Sequence, residues 1–209
     1  MKVLLVNGSP HENGCTYTAL SEVARVLNNE GIESEIFHIG NKPISGCSGC
    51  GACKKQGLGK CIIEDSVNLF CEKAKEADGF VFGSPVHYAS AGGSLIAFMD
   101  RFFYSCPKDT LRLKPAAAVA SARRAGTTAT LDIINKYFTI SEMPVVSSRY
   151  WNMVHGSSPE DVTKDEEGLA TMRVLGRNMA YLLKALDAAK KAGIALPEQE
   201  PPVRTSFIR

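Results

Sequence analysis

Two short apolar runs, each ending in Gly-Ser-Pro, constrain this chain most. Lys2 to Val6 leads through Asn7 into Gly8-Ser9-Pro10, and Gly79 to Phe82 leads straight into Gly83-Ser84-Pro85. A nearly continuous apolar run closed by turn formers is how a strand buried on both faces of a parallel sheet reads. The sequence between such runs has the other period. Leu20, Val23, Ala24 and Leu27 recur at helical spacing ahead of Gly31, where a helix C-cap belongs. Ile32 to Ile39 is the next strand, and Asp65-Ser66 caps a helix through about Ala77 with Val67, Phe70 and Ala74 inward. Leu95, Phe98, Met99 and Phe102 mark another helix, Pro115 to Ala120 a strand, Thr127 to Phe138 a helix and Pro144 to Ser147 a weaker fifth strand. Ser158-Pro159 and Thr163-x-x-Glu166 both offer starts for a long last helix, with Leu169, Met172, Leu175, Met179, Leu182 and Leu186 inward and Gly193 at its end. Five strand-helix units predict an α/β fold: a doubly wound five-stranded parallel sheet in a three-layer α/β/α arrangement with right-handed crossovers.

At 209 residues the chain fits one domain of usual size (~150 residues). We expect that domain over residues 1–195, including a cysteine-rich loop at 46–61, and an extended tail over 196–209 that runs along the surface or a partner. A net charge of +2, without a run of like charges, argues against nucleic acid. No apolar stretch approaches the ~20 residues of a membrane span, and no basic leader or cleavage site opens the sequence, so a cytoplasmic protein is expected. Seven cysteines, with four crowded between Cys47 and Cys61, do not resemble a secreted disulfide framework. Thiols, a metal or a cluster are the alternatives.

Ligands of such a sheet bind beyond the carboxyl ends of its strands. After the first strand, Gly8 to Thr18 is rich in small residues and hydroxyls, and its backbone N–H groups and helix dipole favour a phosphate, with Ser9 and Thr16 as hydroxyl donors. The spacing is wrong for G-x-G-x-x-G, and no Gly-Lys-Ser/Thr is present for a nucleoside triphosphate. After the third strand, Gly83 to Gly93 combines a proline-fixed entry, the flat side chains of His87 and Tyr88 and a glycine-rich exit, which suits the edge of a planar aromatic ligand. After the fourth, Ser121-Ala122-Arg123-Arg124-Ala125-Gly126 is a second hydroxyl and glycine loop whose arginines face either an anion or solvent.

The opening Gly-Ser-Pro-x-x-x-Gly-x-Thr, the Gly-Ser-Pro-Val-His-Tyr-Ala-Ser loop and Phe98-Met99-Asp100-Arg101 resemble the NADPH-dependent FMN reductase group of the flavodoxin-like fold. That resemblance implies FMN, with Ser9, His11, Cys15, Thr16 and Tyr17 at its phosphate. Pro85, Val86, His87, Tyr88 and Ala89 would meet the ring, and Ser121, Ala122, Arg123, Arg124 and Gly126 its other edge. His11 stands where the family often has Arg or Lys, and Cys15 where it often has Asn, which implies a differently charged phosphate grip. The resemblance also implies a homodimer or homotetramer with the flavin near a subunit interface.

Cys47-x2-Cys50-x2-Cys53 followed by Cys61 is similar to the compact motif of the iron-sulfur flavoproteins, a branch of the same fold. Two-residue gaps let three thiolates converge on a [4Fe-4S] cluster, the surrounding glycines let the backbone wrap it, and Lys54, Lys55 and Lys60 offset its charge. Cysteines that only line a pocket or a dimer surface, and a zinc site, are the rival readings. Cys71 and Cys106 read as small buried hydrophobes and His38 as a strand-end cap, while Trp151 to Gly156 covers the flavin, crosses to a partner or is plain core and surface.

The first functional reading is an FMN-dependent oxidoreductase moving electrons from NAD(P)H to quinones, flavins or a similar small-molecule acceptor. Flavin N5 carries that chemistry, backbone donors of residues 86–89 and 122–126 stabilise the reduced ring, and His87 or Tyr88 gates its open face. The second is an iron-sulfur flavoprotein linked to ferredoxin through the four cysteines, and the third a thiol-based redox sensor.

Overall fold

The computed structural model describes residues 1–201, 203 and 205–207. Pro202, Arg204, Ile208 and Arg209, part of the expected tail, lie outside the described residues. The elements run β1 (Lys2–Asn7), α1 (Cys15–Asn29), β2 (Glu33–His38), α2 (Ala52–Lys55), α3 (Ser66–Ala74), β3 (Gly79–His87), β4 (Ser90–Ala91), α4 (Gly93–Ser105), β5 (Ala116–Ala122), α5 (Thr127–Ile140), β6 (Met153–His155), α6 (Pro159–Lys164) and α7 (Glu166–Lys191). Five strands pair in parallel in the order β2-β1-β3-β5-β6, and β4 pairs antiparallel with the end of β3. This is the doubly wound arrangement expected from the alternation of apolar runs and helical periods.

Strand alternation divides the interior into two cores. Leu4, Val6, Phe80, Phe82, Ala116, Ala118 and Ala120 face α3, α4 and α5, where Phe70 sits among the rings of Phe37, Phe80, Phe82, Phe98 and Phe102 at centroid distances of 4.8–6.3 Å. Val3, Leu5, Val81, Ala117 and Val119 face α1 and α7 through Leu20, Val23, Leu27, Met172, Leu175 and Met179. Both faces of each central strand are therefore buried, which is why those strands read as unbroken apolar runs. Among the described residues no helix is long and apolar enough to cross a membrane.

Four expectations need correction. Pro144 to Ser147 makes only an isolated bridge, Val145 to Ala116, and the fifth strand is Met153–His155. The chain leaves β5 after Val146, turns where the Ser148 hydroxyl bonds the Tyr150 carbonyl and Asn152, and rejoins β5 at Met153. Trp151 stands exposed in that excursion, so the segment at 151–156 is partly strand rather than loop. Second, β3 does not stop at Phe82 but continues to His87 and folds back as a hairpin. Third, the last helix is two: Ser158 caps α6 and Asp165 caps α7, while Thr163 bonds the Glu160 carbonyl inside α6 instead of heading a capping box. Fourth, the cysteine loop contains one short helix, α2. The described tail residues after Pro197 form no helix or strand, and Arg112 donates to the Pro197 carbonyl at 2.9 Å.

Candidate functional site

Three of the helices that begin at the carboxyl edge of the sheet have glycine at the N-cap. Gly14, Gly92 and Gly126 precede α1, α4 and α5 without a side-chain cap, whereas Asp65, Ser158 and Asp165 cap α3, α6 and α7 with side-chain oxygens. The first-turn N–H groups of a helix have no intrahelical partner, so an end left without a cap keeps donors for an anion.

The first loop is pre-shaped by its own polar groups. Asn7 reaches the carbonyls of His11 and Glu12 through Nδ2, at 3.4 and 2.9 Å, and accepts from Ser9 N–H at 3.1 Å. Ser9 Oγ accepts from His11 N–H at 3.1 Å, and His38, at the end of β2, meets the Ser9 carbonyl at 2.8 Å. Thr16 and Ser121, both buried, hydrogen bond through their hydroxyls at 2.8 Å and thereby tie the first loop to the β5 loop. His11 is exposed, and Tyr17 lines a groove on the outer side of α1 with Glu12, Asn13 and Arg25. Cys15 turns its thiol toward the Gly156 carbonyl at 3.7 Å, and burial pushes that thiol up.

The loop after β3 is a two-residue hairpin. His87 pairs with Ser90, and Tyr88 and Ala89 form the tip with φ of 49° and 57°, the left-handed pair of a type I′ turn. Tyr88 is fully exposed and Pro85 and Val86 are half-buried. Ser84 fixes the base, donating to the Pro85 carbonyl and accepting from Gly92 N–H. Gly126 brings the β5 loop against this hairpin. A Cβ there would lie 2.7 Å from Ala89 Cα and 2.8 Å from Val86 Cγ1, and φ is +93°, so only glycine fits. Ala122 is buried, and Arg123 and Arg124 point to solvent.

Cys47, Cys50, Cys53 and Cys61 line one pocket with Gly46, Gly51, Arg101, Tyr104 and Ser105. Cys47 and Cys50 are exposed, Cys53 is buried and Cys61 half-buried. Among the described residues no three His, Cys, Asp or Glu side chains gather closely enough to hold one ion. A cubane spreads its four thiolates over four irons, so a set that shares a pocket without closing on one point fits a cluster better than zinc. Backbone N–H of Ala52 and the Ser48 hydroxyl draw the Cys50 thiol below its ordinary range.

Arg101 roots this loop in the core. Its side chain is wholly buried, and its five donors are all used: Nε to Cys61 Sγ at 3.3 Å, Nη1 to the Ser45 carbonyl and Asp65, and Nη2 to the Ile63 carbonyl at 2.7 Å and Asp65 at 3.0 Å. Asn68 holds the Cys61 backbone from the other side, accepting from its N–H and donating to its carbonyl. Of the lysines expected beside the cysteines, Lys60 pairs with Glu64, and Lys54 lies over the Tyr104 ring. The buried cation is Arg101. Its sequence signal is a charge on the apolar face that Phe98, Met99 and Phe102 define.

A parallel sheet in this order, with three small-residue loops meeting at its carboxyl edge, defines a flavodoxin-like protein. An archaeal flavodoxin superposes with a TM-score of 0.60 at 16% identity, covering 88% of this chain and 99% of that one. RosB, solved with an 8-demethyl-8-formylriboflavin-5'-phosphate intermediate, gives 0.70 at 14% identity over 100% and 96%. The chain belongs to the NADPH-dependent FMN reductase family, whose profile matches residues 1–158. Among its curated relatives is an iron-sulfur flavoprotein of Methanocaldococcus jannaschii, 35% identical over 193 residues that cover 89% of this chain and 99% of the relative.

Proposed function

We propose that this member of a flavin oxidoreductase family is an iron-sulfur flavoprotein, which binds FMN at the sheet edge and a [4Fe-4S] cluster at Cys47, Cys50, Cys53 and Cys61, and exchanges single electrons with a ferredoxin-type partner. One observation carries the reading: four cysteines share a pocket in which a buried guanidinium already donates to one of their sulfurs. A buried cation beside thiolates offsets the charge that a cluster concentrates there. The relative at 35% identity carries the same name.

Bound FMN would supply two-electron and one-electron chemistry, and the cluster one-electron transfer. In this reading the chain's residues position and exclude. The uncapped start of α1 and the Ser9 and Thr16 hydroxyls hold the phosphate, with Cys15 and Tyr17 contributing first-turn N–H groups and His11 standing at the rim. Val86 to Ala89 face the ring, Ser121 to Gly126 follow its other edge, and His87 and Tyr88 flank the open face.

The second reading, transfer from NAD(P)H to quinones, flavins or similar acceptors, draws its support from the family profile. Anaerobic purification followed by iron, acid-labile sulfide and flavin assays separates the two. Flavin with roughly four irons per chain, reduced by reduced ferredoxin and not by nicotinamides, is expected. Flavin without iron that bleaches rapidly with NADPH overturns the proposal in favour of the reductase.

A further inference from the structure

Two polar residues interrupt an otherwise apolar helix face. Arg101 and Ser105 stand one turn apart on α4, and both line the cysteine pocket. Arg101 gives its Nε–H to Cys61 Sγ at 3.3 Å while Asp65, aligned with Nη1 and Nη2, fixes the plane of the guanidinium. Ser105 is 3% exposed, and its Oγ has no hydrogen-bond partner. A buried hydroxyl left alone keeps the desolvation cost of the group without a compensating bond, and in this chain it sits on the wall of a pocket that four thiols share. On that wall the acceptor that the pocket's chemistry offers is sulfur.

We propose that α4 supplies a donor pair to the cluster, Arg101 through Nε–H to the Cys61 ligand sulfur and Ser105 through its hydroxyl to a cluster or cysteine sulfur, and that this pair raises the cluster's reduction potential. The proposal rests on the cluster reading above. Donors to cluster sulfurs stabilise the more negative reduced state, so fewer donors mean a lower potential. Arg101 is also a positioning residue. With five N–H groups spent on Cys61, Asp65, Ile63 and Ser45, it joins the fourth ligand to the loop at 45 and to the start of α3. A lysine keeps the charge but loses this planar fork.

Ser105→Ala is the cleanest test, because without a cluster it removes only an unpartnered hydroxyl. The wild type, Ser105→Ala and Arg101→Lys are purified anaerobically, and iron, flavin, thermal midpoint and EPR-monitored cluster potential are measured. Ser105→Ala should keep wild-type iron, flavin and thermal midpoint while its cluster potential moves negative. Arg101→Lys should move it further in the same direction. A Ser105→Ala or Arg101→Lys potential equal to that of the wild type overturns the donor assignment alone. A wild type without iron overturns the cluster reading, and the donor pair falls with it.

Discussion

At the carboxyl edge of the sheet the donors belong mainly to the backbone, and the side chains beside them brace the loops: Asn7 donates to the Glu12 carbonyl, Ser9 accepts from the His11 N–H, and the Thr16 and Ser121 hydroxyls bond each other. In the cysteine loop the reactive atoms are side chains, two of the four thiols are exposed, and shape comes from a single root at Arg101, Asp65 and Asn68. The edge is thus prepared by many short-range bonds within the loops that would touch a ligand. The cysteine loop is prepared at one end. A site built the first way should lose affinity in steps as bonds are removed, and one built the second way should fail at a few positions and tolerate change elsewhere.

The sharpest break is Cys53→Ser, which should abolish most bound iron and leave the flavin-to-protein ratio unchanged, as read by paired iron and absorbance assays. A parallel loss of flavin would show that the two regions are one site. Next is Gly126→Val. Its Cβ meets Ala89 Cα at 2.7 Å with φ at +93°, so destabilisation of about 1–3 kcal/mol should show in urea melts. Flavin content should fall several-fold with iron retained. A smaller effect belongs to Ser121→Ala, which leaves the buried Thr16 hydroxyl unpaired. About 1 kcal/mol corresponds to roughly five-fold weaker FMN binding, measurable by fluorescence titration of the apoflavoprotein.

The smallest effect lies outside both sites. The Arg25 hydrogen bond, joined by that of Arg173, holds Glu22 on α1 below the usual carboxylate range. A depressed folded-state value means that the stabilisation is complete above that range and is lost as pH falls through the folded value. Glu22→Gln should therefore destabilise by at most about 1 kcal/mol at pH 7. The difference should shrink as pH falls below the usual carboxylate range and vanish once Glu22 is protonated in the folded state, and iron and flavin should stay at wild-type levels throughout.

The parallel core was legible because β1, β3 and β5 are buried on both faces, so their sequences carry the signal without help from neighbours. The edge strand was not. Val145-Val146 has the residues of a strand, but Ser148 and Asn152 pull the chain away from β5 after one bridge, and the pairing resumes at Met153, which no local pattern marks. The hairpin tip was hidden for a related reason: Tyr88 and Ala89 adopt left-handed geometry without the Asn-Gly that announces such a turn. The four cysteines could be read as a set because their spacing is local. Arg101 could not be joined to Cys61, since 40 residues separate them and only the packing of α4 beside α3 brings them together.

That packing has a consequence for how the loop breathes. Arg101 follows Phe98 and precedes Phe102 on α4, and Asn68 lies near Phe70 on α3, so the residues that hold Cys61 stand on the two helices whose rings pack against the sheet. The Cys61 amide, bonded to a 4% exposed asparagine, should exchange with deuterium more slowly than the amides of the loop before it. The amides from Gly46 to Gly51 are exposed or half-buried and can exchange through local fluctuation alone. Cys61 is therefore held by the packed helices, while the exposed Cys47 and Cys50 sit on backbone that would adjust around whatever the root held.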